Sequence, residues 1–115
     1  MRDFQQFEFW QKAHTLTLKI YLSTKSFPKE ELYGLTSQMR RSSSSIPTNI
    51  AEGCGRESIP ELKRFFSIAA GSCSELQYQL MLSKDLKYIS DNLFTEHTAE
   101  VICIKRMISK YIGKL

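Results

Sequence analysis

The sequence predicts an all-α fold, an up-down-up-down antiparallel four-helix bundle that occupies residues 1–115 as a single domain. Three observations carry this. Apolar residues recur at steps of three and four through four successive segments. Only three prolines and five glycines interrupt 115 residues, mostly where those segments meet. A balance of 42% hydrophobic to 24% charged residues suits a chain with one ordinary core.

The first helix is expected from about Glu8 to Ser26, where Phe9, Ala13, Leu16 and Ile20 follow one face and Trp10, Thr17 and Tyr21 flank it. Phe27-Pro28 ends it, because a residue before proline is pushed out of the α region. The second helix should begin between Lys29 and Tyr33, with Glu30 and Glu31 in its first turn against the positive end of the dipole. It then crosses Pro47, which removes one backbone donor and crowds the preceding turn. Ile46 and Ile50 keep phase across the proline, so a kinked but continuous helix is expected, stopped by Gly53 and Gly55.

Ser58, Pro60 and Glu61 form the start signal of a third helix reaching about Ile89. At its middle lies a small-residue patch, Ala69-Ala70-Gly71-Ser72, which a neighbouring helix can approach closely and which is expected to meet the serines of the second helix. The second and third helices are therefore the long ones. Ser90 and Asp91 open a fourth helix, with Phe94, His97, Val101, Ile104, Ile108, Tyr111 and Leu115 along its seam.

Function classes narrow by elimination. The three cysteines are odd in number and form no CxxC pair, which argues against a disulfide framework and a zinc site and fits a reducing cytoplasm. The N-terminal stretch lacks a continuous apolar run, so no signal peptide is expected, and no run approaches a membrane span. Neither His14 nor His97 follows a glutamate by three residues, as a di-iron bundle requires. Neither has an arginine within the seven residues before it, and Gly53-Cys54-Gly55 is followed by no Lys-Ser/Thr as a phosphate loop would be. No catalytic constellation, metal or cofactor is expected. His97 reads as a core or subunit-contact histidine and His14 as a surface one.

The polar signal lies in the second helix. Gln38, Arg41, Ser45, Asn49, Glu52 and Arg56 fall along one stripe, beside a core-facing stripe of Leu35, Met39, Ser42, Ile46, Ile50 and Gly53. Glu52 adds a negative charge where a phosphate ligand would be negative. Gln38, Arg41, Asn49, Glu52 and Arg56 are therefore assigned to architecture or a subunit interface. Arg40, Lys63 and Arg64, with Lys105, Arg106 and Lys110 of the last helix, are the candidate nucleic-acid surface. After Glu100 no acid remains, while the net charge of the whole chain is +4.

Several motifs together, W-Q-K-A from Trp10, F-P-x-E-E-x-Y-G-L from Phe27, Q-x-R-R from Gln38, S-I-P-x-N-I-A-E-G-x-G-R from Ser45 and G-S-x-x-E-L from Gly71, are similar to the bacterial four-helix bundle proteins encoded in 23S rRNA intervening sequences, the S23 ribosomal protein family. The resemblance spans nearly the whole chain, with Ser42 standing where such proteins often carry alanine. It implies a left-handed up-down bundle that assembles as a homopentamer around a central channel. It also relates the chain to the accessory variability determinant of diversity-generating retroelements, which binds nucleic acid and a reverse transcriptase. The expectation is a non-enzymatic, cytoplasmic, oligomeric bundle that binds RNA or DNA through basic patches repeated around a ring. The alternative is a protein-interaction scaffold or accessory subunit without a direct nucleic-acid role.

Overall fold

The computed structural model describes residues 2–115. Four helices form the bundle: α1 (Glu8–Ser23), α2 (Leu35–Cys54), α3 (Ile59–Asp85) and α4 (Asp91–Gly113). α2 packs against α1 and α3, and α4 against α3 and α1, so α1 and α3 are diagonal. The body is a rod of 43 × 24 × 19 Å.

The predicted faces are the buried ones. Phe9, Ala13, Leu16 and Ile20 of α1, Met39, Ile46 and Ile50 of α2, Leu62, Phe66, Leu76 and Leu80 of α3, and Val101, Ile104 and Ile108 of α4 make one core. Each fully buried Leu or Ile side chain contributes roughly 1.5–3 kcal/mol by leaving water. An aromatic cluster closes the core at the end that holds the α2–α3 turn, where Phe66 meets Phe9 at 5.7 Å and Tyr111 at 5.7 Å between ring centroids.

Element borders differ from the sequence expectation in four places. α1 stops at Ser23 and gives way to a 3-10 turn, Thr24–Ser26, before extended Phe27. The second helix starts at Leu35, not between Lys29 and Tyr33. Lys29–Glu31 form a separate 3-10 turn, and Gly34 breaks the helical path with φ −113° and ψ −115°. Glu31 still serves the start of α2, since its carboxylate accepts the backbone N–H of Leu35 at 3.1 Å. α3 ends at Asp85, four residues before Ile89. Lys87 adopts a left-handed φ of 63°, and the Tyr88 N–H closes back on the Ser83 carbonyl at 2.8 Å. Consequently α4, with 23 residues, is longer than α2, with 20. Gly53 is also not a stop. It lies buried inside α2, and a Cβ there would come within 3.1 Å of Phe65 and Phe66.

α2 runs unbroken through Pro47. The expected meeting of small residues is present. Ser45 and Ser72 share a hydroxyl hydrogen bond of 2.9 Å across α2 and α3, and Ser42 donates to the Gln79 side chain at 2.6 Å. Buried hydroxyls are satisfied across this seam, which allows two polar helix faces to close on each other.

Candidate nucleic-acid interface

α3 and α4 are antiparallel neighbours, and their register decides where the candidate cations gather. Lys105 of α4 donates to the Ser74 hydroxyl of α3 at 2.6 Å, and Tyr111 rests on Phe66. The C-terminal half of α4 is thus level with the N-terminal half of α3. Lys63, Ser67, Ala70, Ser74 and Gln77 step by 4, 3, 4 and 3 along α3 toward α4. A groove between the two helices is lined by Gln77, Ile102, Lys105, Arg106 and Ser109.

Five of the six sequence candidates, Lys63, Arg64, Lys105, Arg106 and Lys110, therefore lie toward one end of the bundle, but only Lys105 and Arg106 line the groove, and Arg64 is turned over Phe65 beside Arg56. Lys63, Lys105, Arg106 and Lys110 have no carboxylate partner among the described residues. Arg64 is paired with Glu61 at 3.5 Å. Its guanidinium also lies 5.1 Å from the centroid of the Phe65 ring, and that of Arg56 lies 4.9 Å from the same ring. Such cation–aromatic contacts hold long side chains in place at a surface.

Arg40 lies elsewhere, near the opposite end. Its Nε donates to Thr24 Oγ1 at 2.9 Å, its Nη2 donates to the Tyr21 carbonyl at 3.3 Å, and the guanidinium covers the Tyr21 ring at 4.9 Å. A cation at the carbonyl-rich end of α1 is favourably placed against that helix dipole. Arg41, by contrast, is exposed and has no ion pair or hydrogen-bond partner among the described residues. In the rest of the stripe, Asn49 donates to the Ser45 carbonyl at 2.8 Å, Glu52 pairs with Arg56 at 3.5 Å, and Gln38 is exposed.

A polar cluster between α1 and α4 was not anticipated from the sequence. His97 is 2% exposed, and its Nε2 is 2.9 Å from the Ser23 hydroxyl. Its Nδ1 is 3.6 Å from Glu100 Oε1, too long for a good hydrogen bond. Glu100 is held by Lys19 at 2.9 Å, with Glu96 at 3.2 Å from the same ammonium. The hydrogen bond to Glu100 first, and that to Glu96 second, hold the Lys19 ammonium above its ordinary pKa. Serine, histidine and carboxylate lie in sequence here, yet Ser23 ends α1, where carbonyls rather than N–H groups are left free. Hydrolysis needs donors aimed at a developing oxyanion, and this helix end supplies acceptors.

Burial pushes the Cys54 thiol up to about 11 and the Cys73 thiol up to about 12, so neither is a ready nucleophile. Among the described residues no group of three or more His, Cys, Asp or Glu side chains is arranged to hold a metal ion. Among the described residues no helix is long and apolar enough to cross a membrane.

Gln77 and Ser109, which line the groove with Lys105 and Arg106, and Ser74, which accepts from Lys105, were missed in the sequence. Their helical step from Lys63 and from Lys105 was the available signal, but it means little until the register of α3 against α4 is known.

A crystal structure of a protein of unknown function from the S23 ribosomal protein family of Bacteroides thetaiotaomicron is similar, with a TM-score of 0.84 and 21% identity over 91% of this chain and 95% of that one. At that identity the likeness shows the fold. No curated protein matches. The family model described as 23S rRNA-intervening sequence protein matches residues 5–110. The chain belongs to the 23S rRNA-intervening sequence protein family.

Proposed function

We propose that this protein is a non-enzymatic helical bundle that binds RNA through the basic α3–α4 edge, assembled so that the edge is repeated around a ring. One observation carries the reading: Lys105 and Arg106 line a polar groove with Gln77 and Ser109, Lys63 and Lys110 lie toward the same end of the bundle, and none of the four is neutralised by a carboxylate among the described residues. Unpaired cations beside amide and hydroxyl groups suit phosphate and sugar contacts, which position a protein on nucleic acid without reading bases. The homopentamer implied by the family resemblance would multiply a weak patch by avidity. The cytoplasm suits a chain whose Cys103 thiol is exposed and free.

The test is fluorescence anisotropy with a structured RNA at two salt concentrations. Three or four phosphate contacts predict a loss of affinity on the order of 100-fold between 50 and 200 mM salt. Lys105→Glu with Arg106→Glu should abolish binding, whereas Arg40→Met should leave the salt slope unchanged. Undetectable affinity at low salt, or a flat salt response, refutes the proposal. A second reading, as a scaffold or accessory subunit, is favoured by Leu22 and Tyr33, which are 67% and 94% exposed.

A further inference from the structure

We infer that the α1–α2 corner is a second RNA site, which takes an unpaired stretch of strand by stacking a base on Tyr33. The inference rests on RNA being the ligand and adds a surface of different chemistry, at the other end of the bundle from the basic groove.

A hollow of about 420 Å³ at this corner is lined by Tyr21, Leu32, Tyr33, Ser37, Arg40 and Arg41. A neighbouring hollow of about 410 Å³ shares Leu32 and Arg40 with it and adds Lys25 and Lys29. The two make one continuous track from the end of α1 to the start of α2. Lys25, Lys29 and Arg41 are exposed along it, and none is in an ion pair among the described residues. Of the acids in the connection, Glu31 accepts the Leu35 N–H at 3.1 Å and the Tyr88 hydroxyl at 2.9 Å, and Glu30 lines neither hollow. Three cations in series suit the successive phosphates of a strand better than one free nucleotide.

Tyr33 is 94% exposed, which leaves its ring open to a ligand. The backbone that presents it is nonetheless pinned. Lys29–Glu31 form a 3-10 turn, Gly34 breaks the helical path, and the Glu31 carboxylate ties that turn to α2. An open ring on a pinned turn is a stacking platform that costs little to order. In the same hollow Arg40 covers the Tyr21 ring at 4.9 Å and donates to Thr24 at 2.9 Å. Arg40 is therefore a wall of the hollow, and Arg41 is the arginine left for a phosphate. Ser37 exposes a hydroxyl there for a ribose or a base edge.

The α3–α4 groove, lined by Gln77, Ile102, Lys105, Arg106 and Ser109, has no ring on which a base could stack. Bases inside a duplex are stacked on one another and closed to Tyr33, whereas those of a loop, bulge or end are open. The two surfaces thus divide the ligand, with backbone contacts at one end of the bundle and unpaired bases at the other. Stacking tolerates every base, so the corner selects for single-stranded character and not for sequence.

The test uses two probes, an RNA hexamer carrying the fluorescent base aminopurine, which dims when it stacks on a ring, and a blunt RNA duplex. All substitutions are at exposed positions, and circular dichroism confirms that the variants fold. Wild type should quench the hexamer. Tyr33→Ala should abolish the quenching and weaken hexamer binding by roughly 5- to 150-fold, with duplex binding unchanged. Tyr33→Phe should keep both, because the ring stacks and the hydroxyl does not. Arg41→Met should reduce the slope of log affinity against log salt for the hexamer by about 0.7, the share of one phosphate. Tyr78→Ala, which removes the exposed ring of α3, should change nothing. Quenching that survives Tyr33→Ala, or is lost in Tyr78→Ala, overturns the inference. So does a joint loss of hexamer and duplex binding in Tyr33→Ala with a lower mass in sedimentation, which makes Tyr33 a protein contact. A hexamer left unbound beside salt-dependent duplex binding overturns this inference alone, and failure of both probes refutes the RNA reading as well.

Discussion

The hydroxyl of Thr17 in α1 lies 3.0 Å from the carbonyl oxygen of Ser43 in α2. That carbonyl is the one whose helical donor, the N–H four residues later, is missing because residue 47 is proline. Thr17 also lies 2.8 Å from its own Ala13 carbonyl, so one O–H is shared between a local acceptor and a distant one. The proline is tolerated because the neighbouring helix supplies the lost donor.

Thr17→Val should therefore cost about 1–2 kcal/mol in urea unfolding, since it leaves a buried carbonyl unsatisfied. In a Pro47→Ala background, where the backbone can serve Ser43 again, the same substitution should cost less. A double-mutant cycle with no coupling energy would show the two residues to be independent.

Two glycines within helices should respond oppositely to alanine. At Gly53 the new methyl meets Phe65 and fully buried Phe66 at 3.1 Å, so overpacking of about 1–3 kcal/mol should outweigh the gain in helix propensity. At Gly71 nothing lies within 4 Å, and Gly71→Ala should stabilise α3 by about 0.5–1 kcal/mol. Thermal unfolding midpoints of the two variants should move in opposite directions.

The two adjacent arginines should separate in stability as they do in geometry. Arg40→Met removes a charge-assisted hydrogen bond to Thr24 and the contact with Tyr21, at about 1–2 kcal/mol. Arg41→Met touches no partner within the chain and should stay within about 0.5 kcal/mol of wild type at protein concentrations where copies are dissociated. Chemical denaturation of dilute protein checks both.

Tyr88 gives the fold an alkaline limit. Its hydrogen bond to the Glu31 carboxylate, followed by burial, raises the phenol above its ordinary value of 10.0. The folded state then keeps a proton that the unfolded chain loses above pH 10, so this contribution is complete below pH 10 and fades as pH rises through the higher folded value. Unfolding measured between pH 8 and 11 should show the decline, and Tyr88→Phe should flatten it.

Thiol labelling offers a direct check of packing. Cys54 and Cys73 are 1% exposed with thiols pushed to about 11 and 12, whereas Cys103 is on the surface. Iodoacetamide at pH 8 should modify one cysteine per native chain and three in denaturant, as read by mass spectrometry.

The bundle was legible because each helix writes its buried face in steps of three and four, and Phe9, Ile46, Leu76 and Ile108 follow that period without exception. Termini were less legible where the stop came from outside the local signal. The left-handed turn after α3 uses Lys87 where a glycine would have announced it, and the start of α2 depends on Glu31 reaching Leu35 past a break at Gly34. Within the candidate site, the basic character of the last helix was evident from composition. Its partners on α3 depend on interhelical register, which no single helix encodes. The same holds for Arg40 and Arg41, since a stripe drawn on α2 alone does not reveal that the end of α1 lies beside one and not the other.

The one-sided placement of cations has a kinetic meaning. A rod 43 Å long with its excess positive charge at one end carries a permanent electric dipole along its axis. Near a polyanion that dipole experiences a torque before any contact forms, and the rod turns its charged end inward while still diffusing. Encounters then begin in a narrow range of orientations, and the search for a productive pose shortens most when salt is low.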